Sequence, residues 1–388
     1  MNRLLVPSSA LLWGLQASFL SPALALILVS LYGASTAEVG WVLSIYNASG
    51  FVFALLLPAW ADRHGDYLRP MALCGALTGA LAAVLGVAHS LPIATLALVV
   101  LGGPAGVGSS LLFAHLRHAG GSAADVVNTR AIVSVAWVAG PPISTAVIAG
   151  FGSRAVLLAI VAVAVLNVAT TAIMLAHARR RPDAGVAAAS GPADGPVHSR
   201  LTMVLIVIAF VVLQATNATA TSILTVYVTR TMGLDVVWAG VALGVAAALE
   251  VPAMLLIGRL TGRFSHLLLI GTGCLAGIAY YAGLAFVSGP VVLLALQVPN
   301  AWFFAAVAGI GLPLFQDLLP RPGLATGLFM NTRRLGSIAS GPIIAVGSLT
   351  VLGDRGIFVA CSALVLVALV VVWAAARAGR RSVSAELD

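Results

Sequence analysis

Charge is what this 388-residue sequence has least of: Asp, Glu, Lys and Arg together make up 8% of it. A soluble domain carries roughly 25% charged residues. So few charges cannot furnish a water-facing surface for a chain this long, which excludes an ordinary cytosolic enzyme, a secreted domain and a disordered protein. Lysine is missing altogether; all 20 basic residues are arginine, against 12 acidic ones. The net charge of +8 does not imply a nucleic-acid partner, because the arginines are scattered through short loops and form no basic face. Cysteine is scarce too. Cys74, Cys274 and Cys361 all lie in apolar runs, with neither disulfide-framework nor metal-ligand spacing, and read as small buried hydrophobes. His64, His115, His118 and His177 include no pair at ligand spacing and read as surface histidines at cytoplasmic edges. No glycine-rich loop carries the Lys and Ser/Thr that cradle nucleotide phosphates. The sequence thus offers no metal site, no cofactor site and no enzyme, and any pumping has to be driven by an ion gradient or by the substrate's own.

What the chain has in abundance is apolar length, with 61% hydrophobic residues and a mean hydropathy of +1.08. A bilayer-crossing helix takes roughly 20 mainly apolar residues. Twelve such runs can be read, at 10–31, 38–60, 70–89, 92–113, 126–150, 154–176, 202–229, 237–257, 267–287, 290–312, 325–349 and 354–376. The expected fold class is therefore an all-α membrane protein with twelve transmembrane helices. The first run has no small-residue cleavage pattern and reads as a retained helix rather than a signal peptide. With both termini inside, fourteen arginines fall in cytoplasmic segments, only Arg154, Arg230 and Arg355 fall outside, and Arg130, Arg333 and Arg334 fall within helices. Such a bias fixes orientation and predicts a multi-pass membrane protein with both termini in the cytoplasm. The stretch from His177 to Arg200, rich in Ala, Gly, Pro and Arg, cannot bury an apolar face and reads as a flexible cytoplasmic linker. The expected organisation is a bundle at 1–176, a linker at 177–200 and a second bundle at 201–388.

The two bundles read as a repeat. Leu15-Gln16-Ala17 recurs as Leu213-Gln214-Ala215, Trp41 as Trp238, Gly75 and Gly79 as Gly273 and Gly277, Leu112-Phe113 and Leu116 as Leu314-Phe315 and Leu318, Asn128-Thr129-Arg130 as Asn331-Thr332-Arg333, and Gly140-Pro141 as Gly341-Pro342. Each match is cheap in so Ala-rich a sequence, but six in one order are not. Six helices per copy keep both copies in the same orientation, related by an axis along the membrane normal. That is the arrangement of a major facilitator transporter, whose pseudo-symmetric halves hold substrate near the midplane and rock around it.

Polar residues in apolar runs mark candidate sites. Ala61-Asp62-Arg63-His64-Gly65-Asp66-Tyr67-Leu68-Arg69 resembles the cytoplasmic loop motif of that superfamily: Asp62, Arg63, Gly65 and Arg69 match, and Asp66 departs. The physical role would be a conformational latch, with Asp62 near a helix terminus pairing across to the other half in one state. Its second-half counterpart, from Gly258 to Arg263, has lost the acid. Trp137-Val138-Ala139-Gly140-Pro141-Pro142 partly resembles the antiporter motif of fifth helices and favours export. Glu250 is the one acid well inside a helix. An ionised carboxylate there is costly, and burial favours its neutral form, which suits a proton-coupling site or a carboxylate that binds sugar hydroxyls. Arg130 and Arg333 occupy equivalent places and should face the cavity between the halves or a cytoplasmic partner. The intramembrane amides are Gln16, Asn47, Asn128, Gln214, Asn217, Gln297, Asn300 and Asn331, with Tyr46, Trp137, Tyr227, Trp238 and Trp302 nearby. Amides and aromatic faces together suit a sugar ring; helix-to-helix bonding and the interfacial aromatic belt are the plainer readings, and the belt is preferred for Trp41 and Trp238.

A narrower resemblance follows from longer strings. Leu249-Glu250-Val251-Pro252-Ala253-Met254, Gln297-Val298-Pro299-Asn300-Ala301, Val307-Ala308-Gly309-Ile310-Gly311 and Phe315-Gln316-Asp317-Leu318-Leu319-Pro320 resemble the bacterial sugar efflux transporter family. Arg130 with Ala136 to Pro142, and Leu15-Gln16-Ala17, are similar to it as well. The resemblance implies export of sugars or glycosides in exchange for protons across a bacterial cytoplasmic (inner) membrane, with Glu250, Gln297, Asn300, Gln316 and Asp317 as family-pattern positions and Asp317 counted with the conformational latch. The expected partners are a small-molecule sugar, protons and the bilayer, with the chain acting as a monomer. The rival readings are a multidrug exporter of the same fold and a sugar uptake permease.

Overall fold

The computed structural model describes the backbone of residues 2–119, 123–178, 200–318 and 322–385. It describes side chains from Leu5 onward, apart from those at 117–118, 123–128, 130–131, 178, 200–202, 316–318, 322–327 and 375–385. Twelve helical segments run through the described residues: α1 Asn2–Tyr32, α2 Thr36–His64, α3 Leu68–Val87, α4 91–118, α5 Ala123–Phe151, α6 Ser153–Ala178, α7 200–231, α8 Val237–Leu260, α9 His266–Phe286, α10 290–318, α11 Pro322–Ser348 and α12 Arg355–Ala385. Eleven helices among the described residues are long and apolar enough to cross a membrane. The remaining expected span is α11, which is as long but carries Asn331, Arg333 and Arg334 within one turn. Several helices run past the apolar windows, α12 to Ala385, because backbone hydrogen bonding does not stop where the hydrocarbon does.

Local chemistry sets the helix ends. The Ser35 side chain accepts the Glu38 amide while the Glu38 carboxylate takes the Ser35 N–H, a reciprocal cap that starts α2. Gly65 ends α2 at φ +63°, a left-handed conformation that only glycine adopts without strain. Pro299 cannot donate to the carbonyl four residues back, and α10 is broken at Leu296, between Pro290–Ala295 and Gln297–Leu318. Wide π-helical turns interrupt α4 at Leu98–Gly102 and close α7 at Tyr227–Thr231.

The packing pairs recur with each helix number raised by six. In the first set α1 packs on α5 and α6, and α3 on α6; in the second, α7 packs on α11 and α12, and α9 on α12. The two sets meet along three seams, α2 with α11, α5 with α8, and α1 with α7. The first two seams are themselves an equivalent pair. Call the end of the bundle where α6 stops and α7 starts the linker end, and the opposite one the far end.

The close approaches of the seams lie in the far-end half, and they are made by small residues. A Cβ on Gly40 would stand 2.5 Å from the Gly341 carbonyl oxygen and 2.8 Å from the Ala345 nitrogen, and one on Gly341 would collide with the Gly40 carbonyl. Across the other seam, a Cβ on Gly240 would meet the Pro141 carbonyl at 2.6 Å, and one on Gly244 the Val138 carbonyl at 2.8 Å. Hydrogen bonds tie the same region: Ser44 Oγ donates to the Ile338 carbonyl at 2.9 Å, Asn47 Nδ2 to the Ser337 carbonyl at 3.1 Å, and Thr225 Oγ1 to the Pro22 carbonyl at 2.8 Å. Such near contact of backbones is what glycine permits between membrane helices.

Gly341→Val should force α2 and α11 apart at the far end. A cysteine placed at Leu43, a residue now 4% exposed, is then expected to react at least tenfold faster with a membrane-impermeant maleimide; the three native cysteines are buried and give little background. An unchanged labelling rate would show that this contact does not hold the far end shut.

Candidate functional site

Below the far-end seal lies a cavity of about 410 Å³ between the two helix sets, within the size range of small-molecule sites. The first set contributes Trp13, Gln16, Tyr46, Asn47, Thr78, Ser109 and Trp137, and the second contributes Gln214, Asn217, Thr221, Ser222, Arg333 and Ser337. Hydroxyl and amide groups thus alternate with aromatic faces, and Arg333 is the one charged side chain on the wall among the described residues.

Gln16 is fixed by its neighbours. Its Nε2 donates to Thr78 Oγ1 at 2.7 Å, Thr78 Oγ1 donates to the Cys74 carbonyl at 3.0 Å, and Asn167 Nδ2 donates to Gln16 Oε1 at 3.0 Å. Gln16, Thr78 and Asn167 are all buried. Gln214, the repeat-equivalent of Gln16, is also buried on the wall; Gly336 of α11 presses on it so closely that a Cβ there would lie 2.7 Å from the Gln214 Cβ. Two buried polar atoms at this level have no hydrogen-bond partner among the described residues, Trp13 Nε1 on the wall and Asn167 Oδ1 behind it. Trp13 is wedged against Gly108, where any Cβ would collide with its ring. Trp13 borders the hollow, and its buried, unpartnered N–H makes it a candidate donor to a ligand's acceptor.

The candidates read from the sequence therefore divide. Gln16, Tyr46, Asn47, Gln214 and Asn217 come together on the wall, as do Trp137 and Arg333. Gln297 and Asn300 do not. Gln297 is fully buried in α10, its Nε2 donating to the Leu293 carbonyl at 2.9 Å and its Oε1 accepting from Asn300 Nδ2 at 3.0 Å. The pair plugs the helix break that Pro299 makes, which is why amides occur there. Asn331 is half-buried on α11, off the wall. Among the aromatics, Tyr227 donates to the Leu284 carbonyl at 2.6 Å inside the core, and Trp302 Nε1 donates to Thr272 Oγ1 at 3.2 Å. Glu250 is half-buried on α8; neither it nor any other α8 residue lines the wall, though the charge of Arg333, which does line it, acts on the Glu250 carboxyl. The side chains of Asn128, Arg130, Gln316 and Asp317, and most of the 177–200 stretch, lie outside the described residues. Trp13, Thr78, Ser109, Asn167 and Ser337 were missed by sequence reasoning; Ser and Thr are too common in membrane helices, and Asn167 stands alone in an apolar run.

The loop after α2 sits at the linker end. Asp62, Arg63 and Arg69 are exposed. Asp62 Oδ1 accepts from Tyr67 Oη at 2.7 Å, so its described bond is to its own loop. That bond, together with burial, pushes the Tyr67 phenol up to about 12, and the contact therefore persists through neutral pH and is lost only as pH rises through that value. Asp66, the residue that departs from the motif, accepts the Arg69 amide at 3.1 Å at the start of α3 and pairs with Arg69 Nε at 3.2 Å.

Two helix sets clasping a polar chamber in a membrane-spanning bundle define a carrier, and comparison with known proteins agrees. The Major Facilitator Superfamily profile matches residues 8–341. "Sugar efflux transporter A" of Dickeya chrysanthemi is 33% identical over 344 residues, 87% of this chain and 86% of that protein; "Sugar efflux transporter B" of Salmonella typhimurium is 30% identical over 87% of each. Among solved structures, the nucleoside transporter NupG superposes with a TM-score of 0.78 over 97% of this chain and 99% of that one, and a D-xylose-proton symporter with 0.71 over 95% and 96%, at 14% and 13% identity, so that they speak to the fold alone. The chain belongs to the sugar efflux transporter family of the Major Facilitator Superfamily, whose members are transporters and not enzymes.

Trp13→Phe removes the orphan N–H together with the outer ring atoms that lie against Gly108. Thermal stability in detergent should change little, because relief of an unpaired donor, about 1–3 kcal/mol, offsets the packing lost against Gly108, while substrate affinity measured by titration should fall several-fold. Unchanged affinity would take Trp13 out of the binding site.

Proposed function

We propose that this protein exports sugars or glycosides across a bacterial inner membrane in exchange for protons, by alternating access between a bundle at 1–176 and a bundle at 201–388. The observation that carries the reading is the wall itself: Gln16, Asn47, Gln214 and Asn217 supply paired donors and acceptors for hydroxyls, and Tyr46, Trp13 and Trp137 supply flat faces for the apolar side of a ring. The names of the relatives point the same way. With both termini and the loop around Asp62 in the cytoplasm, as the arginine distribution favours, the glycine-lined seal is periplasmic and the chamber faces inward. An exporter at rest would load its cargo in this state, and the Asp62 latch, held within its own loop, is the released form.

Glu250 is the coupling residue in this reading. The charge of Arg333 acts on its carboxyl, and Arg333 reaches the wall, so a proton gained or lost at Glu250 would change the charge balance felt there. Protonation from outside and release inside would draw on the membrane potential, about 2.3 kcal/mol per charge per 100 mV.

Proteoliposomes loaded with labelled mono- and disaccharides test both parts. Acidifying the outside should drive sugar out of vesicles bearing the wild type. Glu250→Gln should lower gradient-driven efflux tenfold or more yet keep sugar-for-sugar exchange, which needs no proton. Full gradient-driven efflux by that variant removes Glu250 from coupling; efflux of lipophilic cations with no sugar movement would favour the multidrug reading.

A further inference from the structure

The two equivalent glutamines of the chamber are built differently behind the wall. On the first-set side, the orientation of the Gln16 amide is dictated from a backbone carbonyl outward. The Cys74 carbonyl can only accept, so the Thr78 hydroxyl spends its proton there and offers its oxygen; Gln16 must turn its NH2 toward Thr78 and its oxygen toward Asn167, which must answer with its own NH2. Each bond leaves one Gln16 hydrogen and one Gln16 lone pair unused. On the second-set side the relay is gone. The offset that aligns Gly75 and Gly79 with Gly273 and Gly277 puts Ala276 where Thr78 stands. The Gln214 side chain is instead placed by backbone crowding from Gly336, with no amide relay behind it among the described residues.

We propose that Asn167 and Thr78 act as positioning residues that lock the Gln16 amide in one orientation. The first helix set thereby reads the configuration of the sugar's hydroxyls, while Gln214, free to turn its amide, holds the sugar without reading it. This rests on the sugar-export reading. A locked donor beside a locked acceptor accepts a hydroxyl pair in one arrangement and leaves a buried group unpaired against an epimer, which is how a polar site discriminates. A glutamine that can rotate its amide by about 180° adapts to either.

The test is binding of methyl α-glucoside, methyl α-galactoside and methyl α-mannoside, which differ at single ring hydroxyls, to the full chain in lipid nanodiscs by calorimetric titration. The wild type should prefer one of the three. Asn167→Leu, a residue off the wall, should shrink the ratio of tightest to weakest dissociation constant by about fivefold to tenfold, Thr78→Ser should preserve the ratio, and Gln214→Ala should weaken all three alike. A ratio unchanged in Asn167→Leu, or a uniform loss of binding by that variant, overturns the locking role. Where Asn167→Leu does not fold, the isosteric Thr78→Val against Thr78→Ser decides by the same ratio. A wild type that binds the three equally sinks this inference alone; a wild type that binds none sinks the sugar reading with it.

Discussion

Hydrocarbon offers no hydrogen bonds, and every polar group carried into it has to find a partner within the protein or face a wet cavity. That constraint accounts for the helices, since they satisfy their own backbone and leave no sheet edge open. It also accounts for the fate of nearly every polar side chain in the described spans. Threonines and serines return their protons to carbonyls three or four residues back, as Thr171 does to Asn167 and Thr219 to Ala215. Gln297 and Asn300 repair a proline break. Much of what is not absorbed in this way gathers around the chamber. The chamber is thus what a sorting process leaves behind, and its content of amides, hydroxyls and an arginine is a direct statement of what it was kept to meet.

Much of this is legible in the sequence. The spans show as runs of apolar residues, because the length needed to cross a bilayer leaves a signal over twenty positions or so. The repeat shows in short strings such as Leu15-Gln16-Ala17 and its copy, and the packing pairs reproduce it with helix numbers shifted by six. The site is only partly legible. Gln16, Asn47, Gln214 and Asn217 stand out as amides in apolar surroundings, and so do Gln297 and Asn300; composition cannot separate an amide that faces a cavity from one that mends a helix, since both are uncharged, bonded and deep. The difference lies in the third dimension, in Pro299 and in which side of α10 looks toward α8. Thr78 and Asn167 give no warning, because a residue that acts through another has no signature of its own.

The halves are alike in backbone and unlike in chemistry. The far-end seams repeat each other, Gly40 against Gly341 and Gly240 against Thr145 and Pro141, yet the acid-bearing loop belongs to the first half and Glu250 with Arg333 to the second. Duplication supplies the repeated packing of the two helix sets. Divergence afterwards sets the sides apart: a hydrogen-bonded amide and a charge-bearing loop on one, a carboxyl under the influence of an arginine on the other. Because the two sides share the chamber, a change at either is felt by whatever occupies it.

The far-end seal brings one more consequence. Its described contacts are carbonyl oxygens, small side chains and neutral hydrogen bonds, with no ion pair among them. Debye screening acts on charges, so a closure made from dipoles and close packing is nearly indifferent to the ionic strength around it. In the proposed transport cycle this end would open and shut with the same ease in fresh water and in brine.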